Sequence, residues 1–136
     1  MRKIITFSFI VLLLPTFIKA QRGNPLLDSV REYICEKGIK HPDIVMKQAI
    51  LETGWLQSKY LMGRNNLFGF RVTKEYMRFK SWRHSVDYYK DWQDRKYKDP
   101  KEDYYKFLVR IHYAVKEYPD NLKKVRYNKT CGNQDK

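Results

Sequence analysis

Ile44-Val45-Met46-Lys47-Gln48-Ala49-Ile50-Leu51-Glu52-Thr53-Gly54-Trp55 is the stretch on which the fold turns. His41-Pro42-Asp43 in front of it is a helix start, with proline placed where a missing N–H costs nothing, and Gly54 marks the end. Set at about 100° per residue, Lys47 and Gly54 fall together on one side of this helix. Glu52 falls almost opposite them. It shares the arc of Ile44, Val45, Ala49 and Leu51, with Gln48 and Trp55 as its nearest partners along the helix.

A carboxylate among apolar neighbours loses hydration, which favours the neutral acid and raises its pKa. That is the protonation state a general acid must hold near neutral pH. The same placement also describes a structural glutamate satisfied by backbone groups or by an arginine such as Arg64 or Arg71. Periodicity leaves both readings open.

Outward from this helix, Asn24-Pro25 is a cap followed by a first-turn proline. Leu26, Leu27, Val30 and Ile34 then form an apolar stripe that Gly38 stops, so a helix is predicted from about 25 to 37. Residues 56–67 are mixed, and Gly63 with Asn65-Asn66 predicts a loop. Residues 68–71 and 76–80 alternate aromatic with basic residues and predict a short hairpin. A third helix is predicted from Ser85 to about Tyr97, with Asp87 in its first turn. Asp99-Pro100-Lys101-Glu102 reads as a cap, an opening proline and a capping-box acid for a fourth helix, which carries Phe107, Leu108, Ile111 and Ala114 inward. A last helix is predicted from about Asp120 to Tyr127. The sum is a mainly helical domain with one small β element.

At the N-terminus, Arg2 and Lys3 precede an apolar stretch from Ile4 to Leu14, then Pro15 and the small Ala20. These are the zones of a cleavable export signal over residues 1–20, and the interrupted run is too short for a stable membrane anchor. The protein is expected in the periplasm or outside the cell. Cleavage leaves 116 of the 136 residues, enough for one domain over residues 21–136. It removes three basic residues and no acid, so the net charge of +13 becomes +10. A surface this basic, in a chain with 11 tyrosines, suits nucleic acid, an anionic membrane or an acidic envelope polymer, and charge does not choose among them.

Cys35 and Cys131 would meet an oxidising compartment, where they either pair or remain as a buried and a loose thiol. His41, His84 and His112 are scattered without ligand spacing, so neither a metal nor another cofactor is expected. Asn128-Lys129-Thr130 matches a glycosylation acceptor, a pattern that often arises by chance.

The segment from Gln48 to Trp55, then Ser58, then Asn65-Asn66-Leu67-Phe68-Gly69-Phe70-Arg71 resembles the signature of glycoside hydrolase family 73, the N-acetylglucosaminidase domain also described as mannosyl-glycoprotein endo-β-N-acetylglucosaminidase-like. Thr73-Lys74-Glu75-Tyr76, the segment from Phe79 to Asp87, and Tyr113-Ala114 ahead of Tyr118-Pro119 and Leu122 extend the resemblance over roughly residues 26–126. It implies an α+β lysozyme-like fold and cleavage of the β-1,4 bond after N-acetylglucosamine in peptidoglycan.

Residue by residue, the resemblance makes Glu52 the general acid, Glu75 a second catalytic carboxylate on a β-lobe, and Tyr113 a supporting tyrosine. Trp55, Asn66, Phe68 and Asp87 become substrate-binding candidates. One departure stands out: only Val72 separates Arg71 from Thr73, which makes the lobe short and puts the reach of Glu75 in question. A second carboxylate or the substrate's own acetamido group could then complete the reaction. Each candidate also has a plain structural role: Glu75 as a solvated hairpin acid, Asp87 as a helix-start residue, Trp55 and Phe68 as core, Asn65-Asn66 as a turn, and Tyr113 as a buried aromatic. The expectation is a monomeric secreted wall hydrolase with a glycan substrate and no nucleic-acid partner. A glycan-binding module without catalysis, and a cationic binder of nucleic acid or envelope polymers, are the alternatives.

Overall fold

A computed structural model describes residues 24–132, so the expected export signal lies outside the described residues. The elements run α1 (Pro25–Glu36), α2 (Pro42–Thr53), α3 (Lys59–Met62), β1 (Arg71–Val72), β2 (Glu75–Tyr76), α4 (Trp82–Lys96), α5 (Tyr104–Arg110) and α6 (Tyr118–Lys124). This is the mainly helical arrangement with one short hairpin that the sequence predicts, and it fits a lysozyme-like α+β fold.

The first two helices follow their local signals. Asn24 accepts from the Leu26 N–H at 3.0 Å, and Pro25 opens α1. The C-cap of α2 is Gly54, at φ +55°, a left-handed conformation that glycine adopts without steric cost. The helix starts at Pro42, and His41 leaves its end uncapped because its ring is used elsewhere: it meets the Tyr97 hydroxyl at 3.0 Å and stacks on Tyr104.

Further along, the elements depart from the predictions for identifiable reasons. Residues 56–67 are not all loop: Ser58 caps the single turn of α3 and Leu61 is buried beneath it. A four-residue helix is too short to show periodicity. The strands are shorter than the predicted runs of 68–71 and 76–80, because buried Asn66 takes over the ladder. Its amide donates to the carbonyls of Phe70 and Met77 at 2.9 and 3.0 Å, and its oxygen accepts from Phe70 N–H at 3.0 Å.

Helix α4 starts three residues before Ser85, because the Ser81 hydroxyl accepts from His84 N–H at 3.2 Å. Asp87 is therefore in the second turn. Helix α5 is capped by Asp103, not Asp99. Tyr97 donates to the Glu102 carbonyl at 2.6 Å and pins residues 99–102 as a turn, and the Glu102 carboxylate reaches Arg110 instead of a capping box. The helix ends at Arg110, short of Ala114. Pro119 suits a first turn, so α6 begins at Tyr118 and stops at Lys124.

Helix α2 lies at the centre, packed on α1 and α6, while α1 also meets α4 and α5 meets α6. The core is Val30 and Ile34 of α1, Val45, Met46, Ala49 and Ile50 of α2, Tyr89 of α4, Phe107 and Leu108 of α5, and Leu122 of α6. Leu51 was expected on the inward arc but is 36% exposed, and Glu52 beside it is half-buried. One buried polar chain runs through Tyr89, which donates to the Gln48 side-chain oxygen at 2.6 Å and meets Tyr104 at 2.7 Å; Gln93 bridges Tyr104 to the Lys40 backbone. No described helix is long and apolar enough to cross a membrane.

Cys35 and Cys131 form a disulfide across 96 residues of sequence. It ties the tail to α1, where Lys129 pairs with Asp28 and Arg31 donates to the Thr130 carbonyl. Closing a loop of that length restricts the unfolded chain and stabilises the fold by about 2–5 kcal/mol.

Candidate active site

Glu52 sits in the last turn of α2, whose end is held by Thr53. The Thr53 hydroxyl donates to the Ala49 carbonyl at 2.6 Å and accepts from Leu56 N–H at 2.9 Å. Trp55 and Leu56 then take left-handed conformations at φ +62° and +60° and turn the chain sharply away. The carboxylate is thereby presented at a cleft of about 870 Å³. Residues 68–71, Tyr76, the C-terminal half of α4, residues 110–115 and Tyr118 complete its walls.

Two contacts define the carboxylate. The Tyr118 hydroxyl donates to Glu52 Oε1 at 2.8 Å. Gly69 lies against the other oxygen: a Cβ there would sit 2.7 Å from Oε2, and the residue has φ +68°. Burial raises the Glu52 pKa, opposed by the Tyr118 hydrogen bond and the positive charge of Arg71. Tyr118 is itself pushed far up, by burial and by Glu52, so it stays protonated and remains a donor. Because Oε1 accepts that hydrogen bond, a proton taken up by Glu52 goes to Oε2, beside Gly69. Beneath them, Gln48 Nε2 lies near the Tyr118 hydroxyl but outside hydrogen-bond geometry.

A model of the glucosaminidase family, described as mannosyl-glycoprotein endo-beta-N-acetylglucosaminidase, matches residues 28–130. The chain belongs to this family. No curated protein and no solved structure matches it. Membership makes this glucosaminidase domain a glycosidase for peptidoglycan-type glycans.

The glucosaminidase cleft gathers Glu52, Phe68 and Tyr113. Tyr113 donates to the Phe68 carbonyl at 2.5 Å and so braces the loop that carries Gly69. The Phe68 ring is buried against Tyr89, with centroids 4.5 Å apart, and acts as floor and not as a stacking surface. Asn66 lies below the cleft and shapes the same loop.

Three candidates lie elsewhere. Trp55 is 42% exposed and does not line the cleft. Asp87 pairs with Lys37 at 2.9 Å and accepts from Tyr33, contacts that hold its pKa below the usual carboxylate value despite the opposing effect of desolvation. Glu75 is exposed opposite Val72, while its neighbour Tyr76 faces the cleft. Successive strand residues point to opposite faces, so Glu75 projects away from Glu52's cleft. Among the described residues, Glu52 is the one carboxylate lining it.

Tyr118 is 66 residues from Glu52 in sequence, and nothing in its local pattern marks it as the partner of that acid. Trp92, Arg95 and Lys96 also line the cleft unannounced, since on α4 they read as part of a mixed aromatic and charged helix. Tyr118→Phe is expected to move the basic limb of the pH–rate profile upward, because it removes a bond that favours the charged Glu52. Loss of positioning should also lower kcat roughly tenfold. Steady-state rates across pH read both, and a limb that stays in place argues against this role for Tyr118.

Proposed function

We propose that this protein is an exported endo-β-N-acetylglucosaminidase that cuts the β-1,4 bond after N-acetylglucosamine in peptidoglycan, with Glu52 as general acid. The observation that carries the reading is the half-buried carboxylate at the cleft wall, its pKa raised by burial and one oxygen occupied by a permanent donor. Such a group is protonated where an ordinary surface glutamate is not, and it can deliver that proton to a departing glycosidic oxygen.

With Glu75 turned away, the partner that fits the cleft is the substrate's own 2-acetamido oxygen, attacking the anomeric carbon as Glu52 protonates the leaving oxygen. The leaving sugar then carries Glu52's proton. Water, giving a proton back to Glu52, opens the cyclic intermediate with net retention. Phe68, Gly69 and Tyr113 hold the wall against which this happens. Asn66 shapes the loop from below, and Glu75, Asp87 and Trp55 are assigned no step.

Mass spectrometry of muropeptides after digestion tests the reading, since N-acetylglucosamine at the new reducing end is the expected product. A different reducing sugar overturns the bond assignment. Tight binding without release of reducing ends over long incubation would instead support a glycan-binding module, the reading favoured if one cleft carboxylate is insufficient.

A further inference from the structure

The cleft is markedly one-signed. Besides Glu52 its charged walls are Arg71, Arg95, Lys96 and Arg110. Two of these are engaged: Arg110 grips Glu102 through two bonds of 2.7 and 2.8 Å, and Arg71 lies over the Tyr76 ring at 4.0 Å while donating to its hydroxyl. Arg95 and Lys96 are exposed at the end of α4, and among the described residues no carboxylate pairs with either. Cations at a helix C-terminus do offset its dipole, yet that role does not require both to face a cleft.

Their position relative to the acid is informative. Tyr118, bonded to Glu52, has its ring 5.7 Å from Tyr113, and Tyr113 lies 5.4 Å from Trp92. Trp92 precedes Arg95 and Lys96 by three and four residues, so the three share one face of α4. An aromatic track therefore leads from the acid to two unpaired cations. Tyr118 is buried at the start of this track, while Tyr113 and Trp92 are partly exposed and offer apolar faces to sugars. The guanidinium and ammonium beyond them are donors without acceptors, suited to a carboxylate.

We propose that Arg95 and Lys96 form an anion-reading subsite at the end of this track, which takes a carboxylate carried by the glycan at a distance from the bond that is cut. The inference rests on the peptidoglycan reading above and deepens it: the substrate is selected by its charge as well as by its N-acetylglucosamine. A neutral glycan leaves this end of the cleft unpaired.

Equilibrium binding separates this from the catalytic claim. A Glu52→Gln protein is titrated with soluble peptidoglycan strands in three forms: native, stripped of peptide, and with all carboxyls amidated. Native strands are expected to bind roughly tenfold more tightly than amidated ones, as two exposed ion pairs would give. Arg95→Gln/Lys96→Gln in the same background should remove that difference, while Lys123→Gln/Lys124→Gln, outside the cleft, should keep it. Stripping the peptide breaks its amide link and frees a carboxyl on the sugar, so stripped strands are compared with their own amidated form. Weak binding of both places the native carboxylate on the stem peptide, and tighter binding of the unamidated form shows that the subsite reads a sugar carboxylate.

Equal binding of native and amidated strands, a preference that survives the Arg95/Lys96 change, an equal loss in the Lys123/Lys124 control, or no binding to any form each overturns the subsite. Failure of the wild-type protein to cleave any strand overturns the catalytic reading instead, and the binding comparison still decides this one.

Discussion

Glu52→Gln is expected to slow glycan cleavage on the order of a thousandfold, the usual scale for a lost general acid. Glutamine keeps the shape of the side chain and an oxygen that can accept from Tyr118, so the cleft should survive the change. What it lacks is the transferable proton. Clearing of peptidoglycan in a gel, followed by reducing-end kinetics, measures the loss; unchanged clearing would remove Glu52 from the mechanism altogether.

The same carboxyl sets the pH dependence, and the sign follows from the upward shift of its pKa. An acid must be protonated to act, so kcat should fall as pH rises through the folded-state pKa. For stability, the folded protein binds this proton more tightly than the unfolded chain does. The folded state therefore loses stability as pH rises from the unfolded to the folded value of Glu52 and carries the cost of a buried charge above it. Glu52→Gln has no such cost, so above that window its melting temperature should equal or exceed that of the wild type. Below the window the advantage should vanish.

Gly69→Ala is expected to be the next most damaging change, although it removes no reacting group. At φ +68° an L-residue costs about 1–2 kcal/mol, which a thermal melt would show. The added methyl would also lie 2.7 Å from Glu52 Oε2, the oxygen assigned the acid proton, and the carboxylate must move away. Displacement of a catalytic group by an ångström typically costs about a hundredfold in rate. The expected outcome is a folded protein, with a lowered melting temperature, whose kcat falls about that far. A variant with normal kcat would mean that the close approach of Gly69 and Glu52 has no part in positioning the acid.

The family match covers residues 28–130, and much of what it implies was legible in the chain itself. Asn24-Pro25 and Gly54 signal helix ends through local bonding and backbone freedom, and the structure keeps both. The start of α4 is ambiguous in sequence because Ser81 and Ser85 are equally good caps; only the buried position of Ser85, whose hydroxyl donates to the Trp82 carbonyl at 2.7 Å, distinguishes them. Asp99 lost the α5 cap to Asp103 for a similar reason, since a tyrosine at position 97 holds the intervening turn. In the site, the helical phase singled out Glu52 as a carboxylate on the apolar side, and the structure leaves it half-buried. The phase could not show Leu51 turned outward, because a helix that packs on several neighbours does not bury one simple arc.

What the sequence determined by itself is therefore the existence of the five longer helices, the small β element and the position of one misplaced acid. These rest on contacts between residues a few positions apart, whose geometry is the same in any fold. The tertiary structure alone decided that Tyr118 donates to Glu52, that Gly69 crowds its other oxygen, that Glu75 faces away, and that Arg95 and Lys96 line the cleft. Those relations join segments tens of residues apart. They follow from how α2, α4, α6 and the hairpin loop pack together, which no local period encodes.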